Sequence, residues 1–300
     1  MKLAYFRDGK GNFGDDLNAW MWPKLLPEGF FDHDDRELFV GIGSIIGEGI
    51  FPKNSRKLVF GAGYGGYWPA PDLRDNTWEF FFVRGRDTAR ICNLPAEKAI
   101  SDGAILLAEI NNLPKPCARL GVAFMPHYQS IMRGNWQQVC ERVGITLLDP
   151  TEPVETLLSQ IQGADLVVTE AMHGAIVSDV LRTQWIAIQP LSKHHHRKWG
   201  DWAGSLDLKI AWENLPPSSI PDLILLITGR GESRLNKAWR GLGIFANVVD
   251  YTLVCNASYS LRKIARKNNG QLSDETKILQ IRKRAKRTLD EFVRGRITSR

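Results

Sequence analysis

Three hundred residues are more than one ordinary core needs and suit two domains. With 43% hydrophobic and 24% charged residues, the chain reads as soluble and globular, which excludes disordered and fibrous classes. The net charge of +6 is concentrated at the end: residues 262–300 hold 13 Lys/Arg against 4 Asp/Glu, and the rest sums to −3. A general nucleic-acid-binding role would rest on that segment alone, and no nucleic-acid partner is expected.

In chain order, KLAYF (2–6) predicts a first strand, GKGNFGDDL a glycine-rich loop and LNAWMWPKLL a short helix. ELFVGIGSII (37–46) and KLVFGAGYGG (57–66) are strands that end in glycines. EFFFVRGRDTARIC (79–92) is a strand ending in basic residues before a helix, and KAISDGAILLAEI (98–110) a short strand, a turn and a helix. Strands that end this way before helices predict a parallel α/β sheet, whose ligands sit beyond the carboxyl ends of the strands.

LPKP (113–116) reads as a linker, after which the pattern restarts. GVAFMPHY, ITLLDP, ADLVVTE and QWIAIQP predict strands, and NWQQVCERVG, PVETLLSQIQGA and HGAIVSDVLRT predict helices. From about residue 231 the chain turns helical and basic. Ser273 fits an N-cap, and Ile278, Ile281, Ala285, Leu289 and Phe292 keep helical spacing. The expected organisation is therefore 1–112 and 117–230 as two α/β domains, with 231–300 as a helical segment packing back across them.

No apolar run approaches the roughly 20 residues of a membrane helix; the richest is IPDLILLITG at 220–229. The opening MKLAYFRDGKGN lacks the apolar core of a signal peptide. Cys92, Cys117, Cys140 and Cys255 form no CxxC pair, which fits a cytoplasmic location and argues against a disulfide framework or zinc knuckle.

NFGDDLN (12–18) places Asn12 and Gly14 where backbone amides can approach a ligand. The two carboxylates Asp15 and Asp16 oppose a phosphate there. Asp16 reads as a helix-capping residue, and Asp15 stays open to binding a hydroxyl. GIGSIIGEG (41–49) and GAGYGG (61–66) lack the full dinucleotide fingerprint and read as tight strand-end turns. Arg84 and Arg86 at a strand's end suit carboxylate or phosphate, or a surface pair with Asp87. His127 follows another strand. His173, followed by Gly174, stands at a strand-to-helix junction, where it is either a proton carrier near neutral pH or a capping residue. The run HHH (194–196) is a poor metal site because adjacent histidines do not converge on one ion; it reads as surface loop. Lys198, Trp202 and Leu206 share one face of a predicted helix.

The ordered set NFGDDLN, GIGS, GAGYGG, FVRGRD, SDGAILL, GVAFMPHY, ADLVVTEAMHG and Lys198 resembles the polysaccharide pyruvyl transferase family, closest to its succinoglycan-type exopolysaccharide members. The resemblance implies two Rossmann-like domains facing a cleft, as in GT-B glycosyltransferases, with the acceptor on the first and the donor on the second. It implies transfer of the enolpyruvyl group of phosphoenolpyruvate to two sugar hydroxyls, giving a pyruvate ketal, with no further cofactor and no metal. By the same resemblance Arg84, His127, His173 and Lys198 match family residues; the chemistry of this donor then makes His173 and His127 proton carriers, puts Arg84, Lys198, Gly174 and Glu170 at the donor site, and has Asp15 orient or deprotonate a sugar hydroxyl. Asn12, Gly14 and Arg86 fall on the acceptor side or its loops. One departure stands out: many members have Ser-Arg where this chain has Glu170-Ala171. The basic tail is expected chiefly to pack, with contact to an anionic membrane carrying a lipid-linked oligosaccharide as its second role. That makes the protein cytoplasmic, peripheral at the inner face. Two rival functions are a nucleotide-sugar glycosyltransferase and a non-enzymatic glycan- or nucleic-acid-binding protein.

Overall fold

The computed structural model describes residues 1–7, 9–74, 76–192, 195–229 and 244–298. The predicted helical stretch 231–243 and His194 lie outside the described residues. The chain forms two compact units. Unit 1 comprises Met1–Leu113, Arg197–Ile210 and Ser273–Arg300; unit 2 comprises Pro114–His196 and Ala211–Leu272. The units are therefore assembled from separated segments, whereas the sequence suggested two contiguous domains with a helical C-terminal segment packing back across them.

Unit 1 is built on β1 (Lys2–Ala4), β2 (Glu37–Val40), β3 (Arg56–Phe60) and β4 (Trp78–Phe82), all parallel and paired in that order. Helix α1 (Phe13–Leu25) joins β1 to β2, and α2 (Arg86–Ile91) follows β4. Alternation along the strands sends apolar side chains to both faces, as a parallel sheet covered on two sides requires. Leu38, Val40, Val59 and Val83 pack with Ala89 and Cys92 on one side. On the other, Phe39 stacks on Phe60 at 4.6 Å and Phe60 on Phe81 at 4.4 Å. Residues Gly103–Glu109, predicted as an α-helix, form a 3-10 helix instead, started by Asp102, whose side chain accepts from Ala104 N.

Unit 2 holds β5 (Gly121–Met125), β6 (Thr146–Leu147), β7 (Ala164–Thr169), β8 (Gln184–Ile188) and β9 (Trp212–Glu213). All are parallel, in the spatial order β6-β5-β7-β8-β9. Numbered by appearance this is 2-1-3-4-5, a doubly wound order whose direction of growth reverses at β5. Its helices are α3 (Tyr128–Arg133), α4 (Trp136–Val143), α5 (Val154–Gly163) and α6 (Met172–Val180). After α7 (His196–Ser205), which runs into unit 1, come α8 (Ile220–Thr228) and α9 (Ile244–Arg266). Phe124, Val168 and Ile186 from the strands meet Trp136 and Val139 of α4 and Val254, Ala257 and Leu261 of α9 in one core.

The final helix, α10 (Glu275–Thr298), returns to unit 1. Ile278, Ile281, Ala285 and Leu289 are buried, and the Phe292 ring lies 4.8 Å from Phe60 and 4.7 Å from Phe81. The predicted helical spacing is thus the packed face. The cap is one residue later than predicted: Asp274 Oδ1 accepts from Lys277 N at 2.8 Å, while Ser273 is buried. No helix among the described residues is long and apolar enough to cross a membrane.

Candidate active site

In unit 1 the loops beyond β1 to β4 form one continuous hydrogen-bonded floor. Asn18 of α1, fully buried, accepts from Ile42 N at 2.8 Å and donates to Ile42 O at 3.0 Å, pinning the GIGS turn. It also accepts from Trp22 Nε1, which stands so close to Gly41 that a Cβ there would lie 2.1 Å from it. Asn12, at the N-cap of α1, donates from its side chain to Asp15 at 2.5 Å, and its backbone N–H to Asp16 at 2.8 Å. Asp16 therefore has the capping role its position predicted. The other Asp15 oxygen faces Gly43, 3.2 Å from where a Cβ would stand. Gly14 lies in the first turn of α1, buried.

Arg84 was expected as a donor-site cation, but it lies fully buried. Its Nε donates to Asp201 at 3.1 Å, and its two terminal nitrogens donate to Ser44 Oγ at 2.7 Å and Tyr64 O at 3.1 Å. Gly63 allows this: a Cβ there would meet the guanidinium carbon at 2.1 Å. Asp201 also accepts from Asp87 N, Thr88 N and Thr88 Oγ1. The physical reason is desolvation. A buried guanidinium needs a buried counter-charge and acceptors for its remaining donors, and helix α7 and two glycine turns supply them. Arg84 ties the GIGS and GAGYGG turns together. Arg86 is exposed, 3.9 Å from Asp207. Lys198 lies on α7, and so in unit 1, outside the 117–230 half expected to hold it. Trp202, within that helix, and Leu206, one residue past its end, are both buried.

In unit 2, His127, Glu170, His173 and Gly174 gather at the carboxyl ends of β5 and β7. These are the neighbouring strands at which the sheet order reverses, the crest where doubly wound sheets take their ligands. Met125 pairs with Thr169 at the end of the two strands, so the residues after each meet. His127 N donates to Glu170 Oε2 at 3.0 Å, and both residues are buried. His127 Nδ1 accepts from Gln129 N at 3.3 Å, capping α3. That leaves the neutral ring's proton on Nε2. The His127 ring stacks on His195 at 4.3 Å, and His195 Nε2 lies 3.4 Å from Gln129 Oε1. His196 Nε2 lies 2.9 Å from Pro190 O. The two described histidines of the HHH run are therefore half-buried, not surface loop.

His173 occupies the first turn of α6, whose N-cap, Ala171, has no side chain to cap it. An uncapped first turn presents backbone N–H groups and the positive end of the helix dipole to an anion. Gly174 is required by close approach: a Cβ would lie 2.5 Å from Thr169 Oγ1 and 2.8 Å from Met125 Sδ. Behind this crest, Arg133 Nε donates to Asp222 at 3.3 Å, and Ser218 Oγ donates to the second Asp222 oxygen at 3.2 Å. Burial pushes the Asp222 carboxyl up to about 6, with Arg133 opposing and the Glu170 charge adding to the rise. Sequence reasoning missed Asn18, Ser44, Arg133, Asp201 and Asp222. Only Asp201, a lone carboxylate between two tryptophans of a predicted helix, carried a visible signal. Among the described residues no cluster of three His, Cys, Asp or Glu side chains is arranged to hold a metal ion.

Comparison with known proteins adds two findings. A family model for polysaccharide pyruvyl transferases matches residues 14–190. The succinoglycan biosynthesis protein ExoV of Rhizobium meliloti (strain 1021) is 36% identical over 223 residues, covering 73% of this chain and 69% of that protein. No solved structure matches.

Proposed function

The chain belongs to the polysaccharide pyruvyl transferase family and is a transferase of that class, and on that premise we propose that phosphoenolpyruvate is its donor. Two hydroxyls of one sugar in an exopolysaccharide repeat unit receive the group as a pyruvate ketal. The observation that carries this reading is the crest of unit 2, where an uncapped helix start, two histidines and a buried carboxylate meet at the reversal point of the sheet.

Phosphoenolpyruvate brings a phosphate and a carboxylate, which the first turn of α6 attracts. His173, in that turn, donates a proton to the enol methylene. The charge then developing at C2 draws the first sugar hydroxyl, a C–O bond forms, and the hydroxyl proton passes to a base. Phosphate leaves as its C–O bond breaks, and the second hydroxyl closes the ring at C2 as its O–H bond breaks, its proton passing to the departing phosphate. His127, whose Nδ1 is taken by the Gln129 amide, presents Nε2–H as a donor and hydrogen-bonds the leaving phosphate. Glu170 acts as a positioning residue through the His127 backbone. Asp15 orients the sugar hydroxyl from the glycine-rich floor of unit 1, with Asn12 setting its carboxylate. Arg84 positions that floor, and Lys198 supplies donor charge. A GT-B-like arrangement of donor and acceptor units belongs to this reading on the strength of the resemblance, as does a lipid-linked acceptor presented at a membrane.

The decisive experiment incubates the protein with phosphoenolpyruvate and a panel of lipid-linked oligosaccharides. Glycan-dependent release of inorganic phosphate with a matching mass gain is the expected result. Thermal stabilisation by UDP or GDP, without any response to phosphoenolpyruvate, would overturn it in favour of a nucleotide-sugar enzyme.

A further inference from the structure

Five of the ten large apolar side chains exposed among the described residues lie between Leu226 and Tyr259 of unit 2: Leu226, Ile227, Val248, Tyr251 and Tyr259. The last three belong to α9. At about 100° per residue, Val248, Tyr251, Cys255, Tyr259, Arg262 and Arg266 fall within about 80° of arc. The opposite arc holds Val254, Ala257, Leu261 and Ile264, which are buried in the core. The helix is thus apolar on two faces, and its outward one has Val248 59%, Tyr251 60% and Tyr259 70% exposed. A solvated surface helix carries polar residues there.

The charge on this face has one sign. Arg262, Lys263 and Arg266 close its C-terminal end, and the Arg142 guanidinium lies 5.1 Å from the Tyr251 ring centroid. The one acid of α9, Asp250, accepts from Ile220 N at 2.7 Å and so is turned towards α8. Tyrosine and valine beside arginine match the boundary of an anionic bilayer, where rings sit at headgroup depth and cations meet phosphates. The basic final helix fits this less well: its apolar face is packed, and Lys277, Arg282, Lys286 and Arg296 pair with Asp207, Glu109, Asp290 and Glu37.

We propose that the outward face of α9 docks unit 2 on an anionic phospholipid surface. Its use, bringing the enzyme to a membrane-presented acceptor, rests on the proposed function; the surface itself does not. The full-length protein is expected to sediment with vesicles of equal phosphatidylglycerol and phosphatidylcholine at low salt, and far less with phosphatidylcholine alone. Tyr251→Ser/Tyr259→Ser and Arg262→Glu/Arg266→Glu should each weaken that partitioning at least about tenfold. Lys283→Glu/Arg287→Glu, on exposed positions of α10, should leave it unchanged. All three pairs are solvent-facing, so thermal unfolding midpoints should match the parent. The proposal is overturned if the parent ignores phosphatidylglycerol, or if the α9 variants bind as the parent does. It is equally overturned if the α10 pair loses as much, or if sedimentation velocity shows the tyrosines holding a dimer instead. Phosphate release with a water-soluble glycan, measured on the same proteins, reports on the transferase reading separately.

Discussion

At the scale of single residues, two of the buried carboxylates, Asp201 and Asp222, make opposite demands. Asp201 meets a guanidinium, a hydroxyl and two backbone amides, and it is nearly inaccessible. Asp201→Asn strands the Arg84 charge, so urea unfolding should show a loss of roughly 3–5 kcal/mol. Asp222 is stabilised less well than it is desolvated, and its carboxyl is raised from 3.8 to about 6. The folded state therefore holds a proton that the unfolded state has released between about pH 4 and 6. Its contribution to stability is favourable at the acid end of that window and is lost as pH rises through 6. Relative to an Asp222→Asn variant, the parent should lose stability on the order of 3 kcal/mol between pH 4 and pH 7. Equal slopes of the two unfolding midpoints against pH would refute this. For the chemistry, His173→Ala should lower kcat by about 10²–10⁴ with phosphoenolpyruvate. Glu170→Gln, which keeps an acceptor for His127 N, should retain far more turnover than Glu170→Ala. Near-normal turnover of His173→Ala would remove the proton role assigned to it.

Secondary-structure elements were the part most legible in the sequence, because burial on both faces writes itself as apolar runs ending in glycine or polar residues. β2, β3, β5, β7 and β8 and helices α4, α5 and α6 stand where the pattern put them. Two short elements escaped, β9 with two residues and α3 with six, while β6 and α2, of the same lengths, were read from the apolar runs beside them. The GAILLAE segment reads as α-helix by composition, yet it adopts 3-10 geometry in a space set by its neighbours: a Cβ on Gly103 would lie 2.7 Å from Phe60 O. At this scale α10 invites a direct test. Leu289, 1% exposed, sits mid-helix, and Leu289→Ala should cost about 2–5 kcal/mol by chemical denaturation. A loss under 1 kcal/mol would mean that α10 is not part of the unit 1 core.

For the molecule as a whole, family membership was legible because ordered motifs carry it, while the make-up of the site was not. Arg84 looked like a ligand-binding cation because a strand's end is where such cations sit. Its burial is decided by Ser44, Tyr64 and Asp201, the last 117 residues away in sequence, and local pattern cannot report that distance. The same distance governs the units. Unit 1 takes its last segment from Ser273 onward, so the 187 residues after Leu113 are made before its sheet is fully covered. Residues 1–113 alone should accordingly be insoluble or lack dispersed amide resonances; a soluble, folded fragment would count against this. At about 5–20 residues per second, the ribosome would hold that sheet open for roughly 10–40 s. The aromatic surface awaiting Phe292, formed by Phe60 and Phe81, is thus exposed throughout synthesis of unit 2. A nascent chain of this design keeps that aromatic surface open until α10 has been made, and a premature stop before Phe292 should leave a product cleared by proteolysis.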